Sequence, residues 1–218
     1  MSEAVVQELS DAIVQLDLKR VEEICRKAIG VGISPGKMME SMSQGMDIVG
    51  QKYEAREYFL AELIMAGEVM KTGLKVLEPY LKIEKGEKGR FLGKVVIGTV
   101  KGDLHDLGKD LAKTLLESAG FEVLDRGVDV SPEEFVKAVK EQKPDILAMS
   151  ALLTVSLAEV ENTINELKKA GLRNKVKIIL GGAPVTVEFG KKIGADAVGV
   201  DAVQGVKICR EWLSTKYI

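Results

Sequence analysis

Residues 94–109 read KVVIGTV followed by KGDLHDLGK: an apolar run, a polar loop and the opening of a helix-like segment. The run shows no apolar/polar alternation, so it is not a strand with one wet face. Runs of this kind are buried on both faces and belong to parallel sheets. Four more follow: EVLDRGV (122–128), ILAMSAL (146–152), KIILGGA (177–183) and AVGV (197–200). Helix-like segments lie between and after them, at about 106–119, 132–142, 157–170, 186–193 and 202–214. Ser131-Pro132-Glu133-Glu134 opens one of these as a capping box with proline in the first turn. Five strand–helix units predict an α/β, flavodoxin-like (Rossmann-like) domain built on a five-stranded parallel sheet. Ligands of such sheets sit beyond the carboxyl ends of the strands, so the loops after the strands are where chemistry is expected.

Upstream the pattern changes. Val5, Val6, Leu9, Ala12, Ile13 and Leu16 recur at helical spacing, and Leu18, Val21, Ile24, Cys25, Ala28 and Ile29 repeat it after a break at Asp17. Ser34-Pro35 begins a third helix with Met38, Met39, Met42, Met46 and Val49 on one stripe. A fourth is expected from Glu57 to Leu77, with Pro79 beyond its end. These predict a four-helix bundle over residues 1–88 preceding the α/β domain at 89–218. The stretch 81–93, LKIEKGEKGRFLG, reads as a linker. Seven of the eight methionines lie in the helical half; they fill core gaps or form an adaptable apolar surface.

Composition narrows the function classes. Of 218 residues, 46% are apolar and 29% charged, and the net charge is −2. No broad basic face for nucleic acid or anionic lipid is expected, and no apolar run approaches the roughly 18 residues of a membrane span. Without a signal-peptide pattern or a disulfide framework (Cys25 and Cys209 are far apart), a cytoplasmic protein is expected.

The loop after the first strand is the most informative stretch. Two phosphate readings fail there. Gly102 to Gly108-Lys109-Asp110 is one residue too long for a P-loop and places aspartate where Ser/Thr belongs; no G-x-G-x-x-G occurs. Asp103 and Asp106 would also repel a phosphate. What remains is Asp103-x-His105-x-x-Gly108. A histidine two residues from an aspartate can donate one ring N–H to that carboxylate and keep the other nitrogen as a directed lone pair, as metal-ligating histidines do. His105 is the chain's single histidine, so it cannot assemble an all-protein metal site. It suffices as one axial ligand if the metal arrives in a macrocycle that supplies four nitrogens. Gly108 allows a close turn or the approach of a large ligand.

In these residues the chain resembles the cobalamin-binding domain of corrinoid methyltransferase proteins. This group includes the methanol, methylamine and aryl-methyl-ether corrinoid proteins and the cobalamin module of methionine synthase. The matching features, in order, are Asp103-Leu104-His105-Asp106-Leu107-Gly108 after the first strand, Ser150-Ala151-Leu152 with Thr154 and Ser156 after the third, and Gly181-Gly182-Ala183 after the fourth. With the helical half they span nearly the whole chain. The resemblance implies a cobalamin or related corrinoid held base-off, with His105 as lower cobalt ligand in place of the cofactor's own base. It implies a hydrogen-bonded relay of Asp103 and Ser156 behind that histidine, coupling proton uptake to the cobalt state. Ser156-Leu157-Ala158-Glu159 also reads as a plain capping box. The displaced nucleotide tail is expected in a slot lined by Ser150, Leu152, Thr154, Gly181 and Gly182, although paired glycines can also simply end a strand.

The helical half resembles the family's cap over the upper corrin face. Its signature stretch matches Glu57-Tyr58-Phe59-Leu60-Ala61-Glu62-Leu63-Ile64, with Leu60 shielding the methyl group and Tyr53, seven residues earlier, as its aromatic partner. Seven residues are about two helical turns, so both share a face if one helix extends that far; the alternative is that both are bundle core. Two departures are Ala61, where the family often has proline, and Val198, where it often has tyrosine. The implied function is that of a methyl carrier whose cobalt cycles between Co(I) and methyl-Co(III). A donor-specific methyltransferase loads it, a second methyltransferase passes the methyl to tetrahydrofolate or coenzyme M, and a reductive activation protein rescues it. The charged linker at 81–93 would be the hinge of the cap. An adenosylcobalamin-binding sensor or mutase module would share the lower-face motifs. A cofactor-free receiver domain would need an aspartate ending the third strand and a lysine ending the fifth, where the chain has Met149-Ser150-Ala151 and Val198-Gly199-Val200.

Overall fold

A computed structural model describes residues 2–85 and 91–214. The chain forms two compact units, Met1–Phe91 and Leu92–Ile218. The junction expected between residues 88 and 89 lies outside the described residues. Among those residues no helix is long and apolar enough to cross a membrane.

The first unit is four helices: α1 (Ser2–Val14), α2 (Leu18–Gly30), α3 (Pro35–Glu54) and α4 (Leu60–Lys85). Asp17 caps α2 by accepting from the N–H groups of Lys19 and Arg20, and Ser34 caps α3 by accepting from Lys37, with Pro35 at the first helical position. Leu9, Ile13, Met38, Met42, Leu63, Met70 and Leu77 fill the core, so core filling accounts for three of the methionines. Met65 is exposed. At Gly45 of α3 an added Cβ would lie 2.8 Å from both Ile13 Cβ and the Ser10 carbonyl oxygen, so α1 and α3 meet backbone to backbone.

Two expectations for this unit need correction. The helix expected to start at Glu57 starts at Leu60. The N–H groups of Glu57 and Tyr58 turn back onto the Lys52 carbonyl, Arg56 adopts φ 61°, and Glu62 accepts from the Phe59 N–H at the true helix start. The same helix runs through Pro79 rather than ending before it. Pro79 and Lys75 are both on the exposed face, where water can take the carbonyl that a proline leaves unserved.

The second unit alternates β1 (Lys94–Thr99), α5 (Leu107–Ser118), β2 (Glu122–Asp125), α6 (Pro132–Gln142), β3 (Ile146–Ser150), α7 (Leu157–Lys169), β4 (Lys177–Gly181), α8 (Val187–Ile193), β5 (Ala197–Gly199) and α9 (Ala202–Ser214). The five strands are all parallel in the order β2-β1-β3-β4-β5. Both faces are covered. Val96, Leu147 and Ile178 pack with Phe135, Val160 and Ile164 on one side; Val95, Ile97, Ile146 and Ile179 pack with Leu116, Cys209 and Leu213 on the other. This explains the absence of alternation in the strand sequences. Chain order reverses between β1 and β3, and the carboxyl edge at such a reversal is where ligands of these sheets sit.

Candidate functional site

The apolar runs are longer than the strands they form. β1 stops at Thr99, β3 at Ser150 and β4 at Gly181, and the apolar residues beyond belong to the loops at the carboxyl edge. The β1–α5 loop is tied on several sides. Val100 N–H donates to the Ser150 carbonyl, Gly102 N–H to Asp129 Oδ1, and Thr99 Oγ1 to the His105 carbonyl at 2.9 Å.

At its centre Asp103 is fully buried. Its Oδ1 accepts from the His105 backbone N–H at 3.1 Å and lies 2.7 Å from His105 Nδ1. Its Oδ2 accepts from the N–H groups of Leu152 (2.6 Å) and Leu153 (3.1 Å), just past β3. Burial alone would push this carboxyl up, but the hydrogen bonds from His105, Leu152 and Leu153 prevail and hold it at about 2. Asp103 is therefore ionised at neutral pH and Nδ1 carries the ring proton. In the neutral imidazole Nε2 is then a directed lone pair. The ring itself is half in solvent, its side chain 52% exposed.

Around this imidazole the mouth is apolar where a loop would be polar. Leu104 and Leu107 after β1, Leu152, Leu153 and Val155 after β3, Val187 after β4 and Val200 after β5 are all exposed large apolar residues. Such a concentration at one sheet edge marks a surface built to be covered. The sequence names Leu104 and Leu107 only as members of the loop motif and gives a site role to Leu152 alone; the available signal was apolar residues persisting in loops past the strand ends.

The structure places the other expected residues as follows. Asp106 is the N-cap residue of α5 but makes no side-chain cap bond. Gly108 lies in the first turn of α5, exposed, with nothing within 4 Å of an added Cβ, so it leaves room rather than making a turn. Ser150 ends β3, and Thr154 is exposed at the start of a short 3-10 turn, Thr154–Ser156. Gly181 and Gly182 differ. A Cβ on Gly181 would meet only the Gly199 carbonyl oxygen at 3.9 Å, whereas Gly182, at φ 122°, would drive one to 1.9 Å from the Ala151 carbonyl oxygen. Gly181 opens space; Gly182 is demanded by the neighbouring backbone.

Ser156 fits neither reading as stated. Its backbone is helical (φ −76°, ψ −11°) and its side chain caps nothing, so the capping box with Glu159 is not formed. Nor does it reach Asp103, whose oxygens are taken by the four N–H donors named above. The Ser156 Oγ is buried without any hydrogen-bond partner, an orphan hydroxyl under the loop that follows β3. Tyr53 and Leu60 are not on one helix: Tyr53 is half-buried near the end of α3 and Leu60 opens α4, 38% exposed. The shared-helix argument for them fails, and Leu60 is not core. It belongs instead to an exposed apolar face with Phe59, Ile64 and Met65.

One charged group was missed. Lys109, one residue past Gly108, is buried and holds Asp110 (2.5 Å) and Asp125 at the end of β2 (2.7 Å). Burial would lower the lysine's proton affinity, but the two carboxylates outweigh it and raise it, so the ammonium stays charged. This pair pins the start of α5 to β2. A lysine in a first helical turn ordinarily points to water, and nothing local in the sequence marks it as buried.

Residues 93–207 match a family model described as a B12 binding domain, and residues 5–78 match a second model with the same description. The chain is 40% identical over 209 residues to trimethylamine corrinoid protein 1 of Methanosarcina acetivorans, across 95% of this chain and 96% of that one. Its fold is similar to a cobalamin-binding protein from Desulfitobacterium hafniense (TM-score 0.84, 36% identity, 95% of this chain and 98% of that chain). It is also similar to the methanol:cobalamin methyltransferase complex MtaBC from Methanosarcina barkeri (TM-score 0.80, 27% identity, 97% and 80%).

Proposed function

The chain belongs to the B12 binding domain family of corrinoid proteins, and from that premise we propose that it is the methyl-carrying corrinoid subunit of a methyltransferase system, with His105 as the lower ligand of its cobalt. The observation that carries the ligand assignment is one imidazole in the loop after β1. Its Nδ1 is fixed on a buried, ionised carboxylate, leaving Nε2 free as a lone pair, and exposed leucines and valines stand in the loops at the same sheet edge.

The residues present fit a corrinoid. A broad apolar macrocycle suits the rim of Leu104, Leu107, Leu152, Leu153, Val155, Val187 and Val200. The open space at Gly108 and Gly181 suits a group that must come close to the backbone, and the orphan Ser156 hydroxyl is a polar atom awaiting a partner. Among the described residues no cluster of three or more His, Cys, Asp or Glu side chains could hold a metal ion, so a single protein ligand agrees with a cofactor that brings its own ring of nitrogens. When bound, a corrinoid supplies a cobalt centre able to accept and release a methyl group.

The chain's own residues do the rest. His105 would hold the cobalt through Nε2. Asp103 fixes the tautomer and the direction of Nε2. Ser150, Leu152, Thr154 and Gly181 line the slot for the nucleotide tail, and the apolar rim excludes water. In the first unit Phe59, Leu60, Ile64 and Met65 are exposed apolar residues, and these, with Tyr53, would be the residues to shield a bound methyl group. The chemistry on methyl donor and acceptor falls to partner methyltransferases, and rescue of an over-oxidised centre to a reductive activation protein.

His105→Ala is the test. The variant loaded with methylcobalamin keeps bound corrinoid, because the tail slot is intact, but its visible spectrum moves from the nitrogen-ligated to the base-off form. An unchanged spectrum would reject His105 as ligand.

A further inference from the structure

Thr99 is an unexpected residue where it stands. It is the last residue of β1, a strand flanked on both sides by others, with every position from Val95 to Thr99 buried. Its backbone is already fully engaged: its N–H donates to the Gly127 carbonyl and its carbonyl accepts from the Val130 N–H, both at 2.9 Å. Valine has nearly the same shape and would save the cost of burying a hydroxyl. The hydroxyl has one use in the structure. Thr99 Oγ1 donates to the backbone carbonyl of His105 at 2.9 Å.

His105 is thereby held at three points: its N–H and Nδ1 by Asp103 Oδ1, and its carbonyl by Thr99. The two anchors are different in kind. Asp103 is a loop residue, its side chain held by the N–H groups after β3 and its backbone by Val100 and Asp129, whereas Thr99 belongs to the sheet. Rotation of residue 105 about its own backbone would carry Nε2 sideways while leaving the Asp103 contact partly intact. The bond to Thr99 opposes that rotation.

We propose that Thr99 is a positioning residue that sets the direction of the His105 imidazole by tying the His105 carbonyl to the end of β1. The proposal rests on His105 being the lower cobalt ligand. Its consequence is that part of the imidazole's affinity for cobalt comes from a residue that touches neither the metal nor the ring.

Cyanide displacement reads this directly. Full-length protein loaded with cyanocobalamin is titrated with cyanide at fixed pH, and formation of the dicyano form, in which the second cyanide has replaced the lower nitrogen, is followed in the visible spectrum. Thr99→Val is expected to lower the cyanide midpoint about fivefold, the equivalent of one ordinary hydrogen bond of about 1 kcal/mol. Thr99→Ser, which keeps the hydroxyl, should restore most of it. A role confined to strand stability would change the melting temperature without moving the midpoint. A Thr99→Val midpoint equal to wild type overturns the proposal. If His105→Ala has the same midpoint as wild type, the ligand reading itself fails; if only His105→Ala shifts it, the ligand reading stands and Thr99 is not a positioning residue. Should Thr99→Val not fold, a Thr99→Ser midpoint matching wild type supports the proposal, and one lowered as far as expected for valine overturns it.

Discussion

Asp103→Ala is expected to destabilise the protein by about 3 kcal/mol before any cofactor is considered. One buried carboxylate accepts from the His105 N–H, His105 Nδ1 and the N–H groups of Leu152 and Leu153. Removing it leaves those donors without their acceptor and unties the loop after β1 from the loop after β3, and lost bonds to a charged group are the expensive ones. The pH dependence has a definite sign. Asp103 is held at about 2, below the ordinary carboxylate range. Its contribution is therefore fully present above roughly pH 4 and is lost as pH falls toward 2. Denaturant unfolding of both proteins should show the largest gap near neutrality and a narrowing gap in acid. A gap that is small at pH 7, or that widens on acidification, would contradict the assigned bonding.

The second large effect separates two adjacent glycines. Gly182→Ala would place a methyl 1.9 Å from the Ala151 carbonyl oxygen and 2.7 Å from its carbon, at a φ of 122° that L side chains avoid. The Ala151 N–H is bonded to the Gly181 carbonyl at 3.0 Å, so the obstructing backbone is itself tied down. A cost above about 3 kcal/mol is expected. Gly181→Ala meets nothing closer than 3.9 Å, and its apo-protein should melt within a few degrees of wild type, an effect of roughly 1 kcal/mol or less. If Gly181 borders the tail slot, that variant folds yet loses cobalamin faster on dialysis. The outcome that contradicts this reading is a Gly181→Ala protein with wild-type cofactor retention, or a Gly182→Ala protein with wild-type stability.

The sheet was legible because the inner strands are buried on both faces, and five strand-like runs separated by helical stretches admit few other arrangements. The Asp103–His105 pair was legible because its two members are neighbours in sequence. What holds Asp103 was not, since Leu152 and Leu153 donate backbone N–H groups from about fifty residues on, and a backbone donor leaves no mark on residue identity. Lys109 was missed for the same kind of reason: its burial depends on Asp125, brought beside it by the β1–β2 pairing. In the helical unit Glu57 and Tyr58 look helical by composition, yet their N–H groups close the end of α3 instead. Ser156 shows the reverse error. A Ser-x-x-Glu spacing suggested a cap, but a 3-10 turn ahead of α7 turns the hydroxyl inward, where no protein group meets it.

The central claim is that a histidine of this chain is the nitrogen bound to cobalt, and the chain offers a single histidine for the purpose. Protein grown with 15N-histidine and loaded with unlabelled cobalamin, then reduced to the paramagnetic cobalt(II) form, can be read by electron paramagnetic resonance. A nitrogen ligand of natural abundance splits each cobalt line into three; a 15N ligand splits it into two. The account predicts doublets from the labelled protein and triplets from the unlabelled one. Triplets in both would place the cofactor's own base on the metal, and lines without nitrogen splitting would leave cobalt with no nitrogen below it; either result contradicts the account.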